Sequence, residues 1–186
     1  MDTPTKWHLE RYRHLLQLQV RRLRLDPRLQ RRFDSSDLVQ ETLLNAHAQL
    51  NRFRGSTEAE LVKWLQKVLA HAVVDQVRKA TAQKDDVALE QSIQAALAES
   101  SARLEEFLAS SQPSPGEQAE RHELLLRIAD ALERLPEDQR EVVILRDLQG
   151  APVGEIAAQL GRSRKSVAGL LLRGRRKLRE LLAEWA

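Results

Sequence analysis

The sequence predicts an all-α fold: two small helical domains joined by an acidic linker. Three observations carry that expectation. Apolar residues recur at intervals of three, four and seven along most of the chain, no stretch sustains strand-like alternation between turn residues, and cap and proline signals mark several separate helix starts. With 186 residues, 42% of them hydrophobic and 31% charged, the chain has room for two domains with modest cores.

The first segment places Leu9, Tyr12, Leu16 and Leu23 on one apolar stripe among arginines. Asp26-Pro27 then marks a turn or a new helix start. Phe33-Asp34-Ser35-Ser36-Asp37 supplies capping side chains and first-turn acidity for a helix with Val39, Leu43, Ala46 and Leu50 as its core stripe, ending near Asn51. Beyond the loop Arg52-Phe53-Arg54-Gly55-Ser56, Thr57 and Glu60 have capping-box spacing. Leu61, Leu65, Val68 and Ala72 continue as a buried stripe to about Lys79.

A first domain over residues 1–84 closes there. Residues 85–113 are the acidic linker, where Leu89, Ile93, Leu97, Leu104 and Leu108 keep a thin helical pattern. Ser114-Pro115-Gly116-Glu117 opens the second domain, 114–186, with a cap serine, a first-turn proline and a closing glutamate. One helix spans Leu124 to Leu135, Pro136 opens another to Leu148, and Gly150 ends it. Val153–Leu160, a Gly161-Arg162-Ser163 turn and a long helix from Arg164 to about Ala183 make a helix-turn-helix.

Charge is segregated despite a net +3. Residues 1–32 hold nine basic and three acidic groups, 85–120 one basic and eight acidic, and 161–179 eight basic and none acidic. Basic blocks at both ends favour a polyanion partner, although solvated helix faces would produce the same counts. With no cysteine, disulfides, thiolate nucleophiles and cysteine-ligated zinc are excluded. No apolar run approaches the roughly 20 residues of a membrane span, and the N-terminus has no apolar signal core, so no membrane insertion and a cytoplasmic location are expected.

On the long final helix, Val167, Leu170, Leu171, Leu178 and Leu181 form the core face. The opposite face carries Lys165, Ala168, Gly169, Leu172, Arg173, Arg176 and Arg179, small at its start and basic beyond. Such a face suits close approach to a DNA groove. Ser163, Arg164, Lys165 and Ser166 would then meet base edges, and Arg173 and Arg176 phosphates. A basic hairpin packing on another protein has the same charge and spacing. Gly169 and Gly174 each cost a helix interior about 1 kcal/mol relative to alanine, so packing or docking must offset the loss. Earlier in the chain, Asp37, Gln40, Glu41 and Leu44 line a polar stripe facing away from Val39 and Leu43. An arginine-rich protein surface would complement it, and the helix macrodipole explains acidity there equally well.

Taken in order, Arg32-Phe33-Asp34-Ser35-Ser36-Asp37-Leu38-Val39-Gln40-Glu41-Thr42, Phe53-Arg54-Gly55, Trp64-Leu65 and Val74-Asp75-Gln76-Val77-Arg78 resemble the promoter-melting domain of bacterial RNA polymerase sigma factors. Leu135-Pro136-Glu137-Asp138-Gln139-Arg140-Glu141-Val142-Val143, Glu155-Ile156-Ala157 and Leu160-Gly161-Arg162-Ser163 resemble the sigma domain that recognises the upstream promoter element. With only a linker between them, the chain is similar to the extracytoplasmic-function class, and Phe33–Asp37 with Ser114-Pro115 to its planctomycete-like version.

The resemblance implies a transcription initiation factor that binds core RNA polymerase and directs it to specific promoters. Asp37, Leu38, Gln40, Glu41 and Leu44 would dock on the polymerase clamp. Asn51, Arg52, Phe53 and Arg54, with His71, Asp75, Arg78 and Lys79, would engage the displaced DNA strand, where phosphate contacts and a stacking surface are needed. Phe53 suits a loop anchor equally well. The resemblance leaves open a third partner, an anti-sigma protein, and threads the linker along the polymerase's RNA path, although a solvated spacer would also be acidic. Two departures stand out: His71-Ala72 where relatives place asparagine, and Ala168-Gly169-Leu170 where they place polar residues.

A helix-turn-helix regulator with an N-terminal partner-binding module is the competing reading, and it leaves the Asp37–Glu41 stripe without a role. An enzyme is not expected. There is no phosphate-cradling glycine loop, no His-Glu metal spacing, and the histidines at 8, 14, 47, 71 and 122 are scattered. His71 and Asp75, one turn apart, have no accompanying nucleophile. No metal and no cofactor is implied.

Overall fold

The computed structural model describes residues 7–23, 34–81, 91–99, 102 and 115–184. Every regular element among them is helical. A 3₁₀ turn, Leu9–Tyr12, leads into α1, Arg13–Arg22. Leu9, Tyr12, Leu16 and Leu23 are all buried, as their spacing predicts. The expected turn at Asp26-Pro27 lies outside the described residues.

Helix α2, Ser35–Gln49, starts where Asp34 accepts a hydrogen bond from the Ser36 amide at 2.7 Å, and it tightens into a 3₁₀ turn over Leu50–Arg52. Helix α3, Glu58–Thr81, starts at the predicted capping box. Thr57 Oγ1 accepts from the Glu60 amide at 3.2 Å, and Glu60 Oε2 accepts from the Ser56 and Thr57 amides at 2.8 and 3.1 Å. These bonds satisfy donors that a helix start leaves open. They also hold the Glu60 carboxyl below its ordinary pKa, the Ser56 amide contributing most.

Helix α2 packs on α3, and α1 lies against α2. The shared core includes Val39, Leu61, Leu65, Leu69 and Val73, each with no solvent exposure. Residues 91–99 form a short helix, α4, that buries Ile93 and Leu97. Two residues of the linker's apolar pattern therefore join the core, while Leu89, Leu104 and Leu108 lie outside the described residues.

The C-terminal group begins with α5, Pro115–Glu133, a longer helix than the predicted Leu124–Leu135 and one with proline at its first position. The single helix expected from Pro136 to Leu148 is two: α6, Glu137–Val143, then a wide π turn, Ile144–Leu148. Gly150 terminates the pair at φ 72°. Helix α7, Val153–Gln159, a turn through Gly161 at φ 61°, and α8, Arg164–Ala183, complete the helix-turn-helix. Both glycines occupy the left-handed region that side chains disfavour.

Helix α8 packs on α5, α6 and α7 with Val167, Leu170, Leu171 and Leu181 buried and Leu178 half-buried. Its Gly174 is a point of close approach. A Cβ there would meet Val143 Cγ2 at 2.9 Å and the Gln139 carbonyl oxygen at 3.3 Å.

Candidate functional site

The stripe on α2 is presented as the helical spacing requires. Asp37 and Gln40 are exposed, Glu41 is half-buried, and Leu44 is 60% exposed, while Val39 and Leu43 point inward. Leu38 is a correction to the expected docking set: only 2% of it is exposed. The buried face of α2 is wide, taking in Leu38, Thr42 and Ala46 beside Val39 and Leu43. Thr42 Oγ1 also donates to the Leu38 carbonyl at 2.8 Å. Two polar members of the stripe are oriented from outside the helix. Arg13 Nη2 donates to Gln40 Oε1 at 2.7 Å, and Gln76 Nε2 donates to Glu41 Oε2 at 3.2 Å.

In the loop after α2, Asn51, Arg52 and Arg54 are exposed, and Arg54 Nη1 donates back to the Asn51 carbonyl at 3.3 Å. Phe53 behaves differently. Its ring packs edge-on to Trp7 with centroids 5.9 Å apart and tilted against Trp64 at 5.2 Å. A Cβ on Gly55 would overlap it, 2.2 Å from Phe53 Cζ. The ring therefore anchors the loop, the second of the two uses its sequence allowed. On α3, His71, Asp75 and Lys79 are exposed and Arg78 half-buried along one face. Asp75 pairs with Arg78 at 3.6 Å.

The exposed face of α8 is cationic but less so than its composition. Arg175 donates through Nε to Asp147 on the π turn at 2.9 Å, and Arg176 lies 3.3 Å from Glu180. On the preceding turn, Arg162 pairs with Asp138 at 2.7 Å. Arg164 lies over α7, where a Cβ on Gly154 would stand 3.1 Å from its Nη2. Ser163 caps the helix, accepting from the Ser166 amide at 3.1 Å, so that hydroxyl and that amide have structural partners. Lys165 and Arg173 are exposed. The two glycines separate: Gly174 is needed for packing, whereas a Cβ on Gly169 would touch only the tip of Arg173 at 3.5 Å.

A connection that local sequence patterns do not reveal joins the two ends of the chain. Arg11 pairs with Glu58 at 3.5 Å and also with Glu123, and His14 Nδ1 lies 2.7 Å from Asp130. Arg21 reaches Glu133 at 3.4 Å, and Arg22 donates to the Leu148 carbonyl at 3.2 Å. Helix α1 is thus clasped to α5 and the π turn. Its basic residues serve partly as internal partners and not wholly as a polyanion surface. Tyr12 is enclosed at this junction, its ring 5.9 Å from that of His122, and burial first, then the Glu58 charge, pushes its pKa up to about 12. Among the described residues, no cluster of histidine or carboxylate side chains is arranged to hold a metal, and no helix is long and apolar enough to cross a membrane.

Two surfaces thus stand out: a polar stripe with an exposed leucine on α2, and a cationic recognition-type helix. They fall within two matched families. Residues 9–83 match sigma-70 region 2, and residues 125–178 match sigma-70 region 4. The chain is 30% identical to RNA polymerase sigma factor CarQ of Myxococcus xanthus, over 81% of this chain and 75% of that protein. It is 29% identical to the ECF RNA polymerase sigma factor SigM of Mycobacterium tuberculosis, over 80% of this chain and 64% of SigM. The sigma factor RpoE of Bartonella quintana, solved in complex with the anti-sigma factor NepR, aligns over 94% of each chain at 21% identity and a TM-score of 0.35. The chain belongs to the sigma-70 family of RNA polymerase sigma factors, and SigM among its relatives is an ECF sigma factor.

Proposed function

We propose that this chain is a transcription initiation factor that binds core RNA polymerase and directs it to specific promoters. The observation that carries the reading is the pairing of the two family regions, in order, with an exposed docking stripe in the first and a cationic recognition helix in the second. A lone helix-turn-helix regulator leaves the region 2 match without a purpose. The chain spans 64% of the length of SigM, so activity and partners rest on the residues of this chain.

Division into a polymerase-docking and strand-capturing domain over 1–84, a linker over 85–113 and an upstream-element domain over 114–186 follows from the same reading. Asp37, Gln40, Glu41 and Leu44 bind the polymerase clamp, with Leu38 supporting them from the core. Asn51, Arg52 and Arg54, with His71, Asp75, Arg78 and Lys79, hold the displaced strand, and Phe53 fixes their loop. Ser163, Arg164, Lys165 and Ser166 approach base edges, while Arg173 and Arg176 neutralise phosphates. The protein has no catalytic chemistry of its own and works in the cytoplasm. An anti-sigma protein is a further candidate partner, and the resemblance carried by Phe33–Asp37 and Ser114-Pro115 supports the planctomycete-like version.

The test is co-purification with core RNA polymerase followed by run-off transcription. The Asp37→Arg variant and the Gln40→Ala, Glu41→Lys double variant are expected to fold normally and lose polymerase binding. Undiminished binding by both would refute the docking assignment. Tight, sequence-specific binding of duplex DNA by the isolated chain would support the regulator reading instead.

A further inference from the structure

Leu172 is 70% exposed on a helix whose other large apolar residues pack inward. A lone exposed leucine is ordinary on a protein surface. The setting of this one is not. At roughly 100° per residue, Lys165, Arg176 and Arg179 all fall within about 40° of it on the helix wheel. Leu172 therefore lies along the centre of the cationic face, bordered by Ala168 and Gly169, and the space at Gly169 is open apart from the Arg173 tip. Its Cα stands about 12 Å along the axis from the start of α8, comparable with the roughly 12 Å width of a DNA major groove.

We propose that Leu172 is a specificity-determining residue whose isobutyl group contacts the 5-methyl of a thymine in the upstream promoter element. The proposal rests on the reading of α8 as the helix that enters the groove. Charge argues for DNA as the occupant, since Lys165, Arg173, Arg176 and Arg179 surround the leucine and no acidic residue precedes Glu180 on the helix. Within the groove, thymine alone presents a methyl group, so an apolar side chain among cations distinguishes it from the other bases. Gly169 keeps the helix axis close enough for a side chain of leucine's length to reach the groove wall. Ala168 and Gly169 bring no hydrogen-bonding side chain to this face, so an apolar contact by Leu172 supplies discrimination there.

The test begins with a promoter library selected for transcription by bacterial core RNA polymerase loaded with the full chain, which defines the preferred upstream element. Each thymine in that element is then replaced by deoxyuridine, removing the methyl and nothing else. Expected is one position where the replacement lowers transcription about fourfold, the effect of exposing one methyl group. Leu172→Ala should lower transcription from the thymine promoter by a similar factor and be indifferent to deoxyuridine at that position, with unchanged thermal melting and unchanged co-purification with polymerase. The proposal is overturned if no thymine position responds, if Leu172→Ala responds to deoxyuridine as the parent does, or if Leu172→Ala loses polymerase or weakens every promoter equally. Failure to select any promoter would instead overturn the initiation-factor reading beneath it.

Discussion

Two glycines five residues apart in α8 should respond oppositely to the same change. Alanine in place of glycine inside a helix is worth about 1 kcal/mol of stability when nothing obstructs the new methyl. At position 169 the only side chain within reach is the movable tip of Arg173, 3.5 Å away, so Gly169→Ala should gain close to that amount. At position 174 the methyl would stand 2.9 Å from Val143 Cγ2 and 3.3 Å from both Gln139 Cβ and the Gln139 carbonyl oxygen. Val143 is only 2% exposed and cannot swing aside, and the carbonyl belongs to the α6 backbone. Overpacking of this kind costs about 1–3 kcal/mol. Taking about 2 kcal/mol and offsetting the propensity gain, Gly174→Ala should be destabilised by about 1 kcal/mol. The two variants should then differ by about 2 kcal/mol, or roughly 4–8 °C in melting temperature for a chain of this size. Urea denaturation followed by circular dichroism measures the gap. Equal stabilisation of both variants would refute the close approach of α6 and α8.

Asp34→Ala removes the α2 cap and should cost about 1 kcal/mol in the same urea assay, with no loss expected if the cap is incidental. Phe53→Ala opens the space between Trp7 and Trp64, and a destabilisation of about 2 kcal/mol with altered tryptophan fluorescence is expected for a half-buried ring. Glu60 has a carboxyl pKa lowered by the capping bonds. Its contribution to stability is complete above the ordinary carboxylate pKa and disappears as pH falls through the lowered value, so Glu60→Gln should flatten the acid side of the melting profile. Tyr12 is the only tyrosine in the chain, so phenolate absorbance reports on it alone. Titration is expected near 12, with the stability due to the neutral phenol lost as pH rises from about 10 towards that value. A midpoint at the ordinary tyrosine value would show that the α1 junction is open in solution.

Helical periodicity and caps made most of this architecture legible. Val39, Leu43, Leu61 and Leu65 are core because their spacing keeps them on one side of a helix, and Ser163 and Thr57 start helices because their side chains satisfy amides that the backbone cannot. Leu38 sits inside a contiguous run, Asp37 to Glu41, whose neighbours on either side are polar, whereas a helix turns it inward beside Thr42. The division of one expected helix into α6 and a π turn left no local signature. Neither did the clasp, whose charged partners attract one another only once the intervening chain has folded. Ring packing around Phe53 depends likewise on Trp7, which lies far from it in sequence.

Synthesis runs from one end, and that gives the clasp on α1 a consequence in time. His14 waits for Asp130, 116 positions later, and Arg11 for Glu123, 112 positions later. At a ribosomal pace of about 5–20 residues per second, the interval is roughly 6–23 seconds. For that period the nascent α1 must present its unfinished side to the cell. Arg21 and Arg22 edge that side beside Leu15 and Leu18, so the waiting helix offers chaperones and neighbouring chains a flank that is part cationic and part apolar.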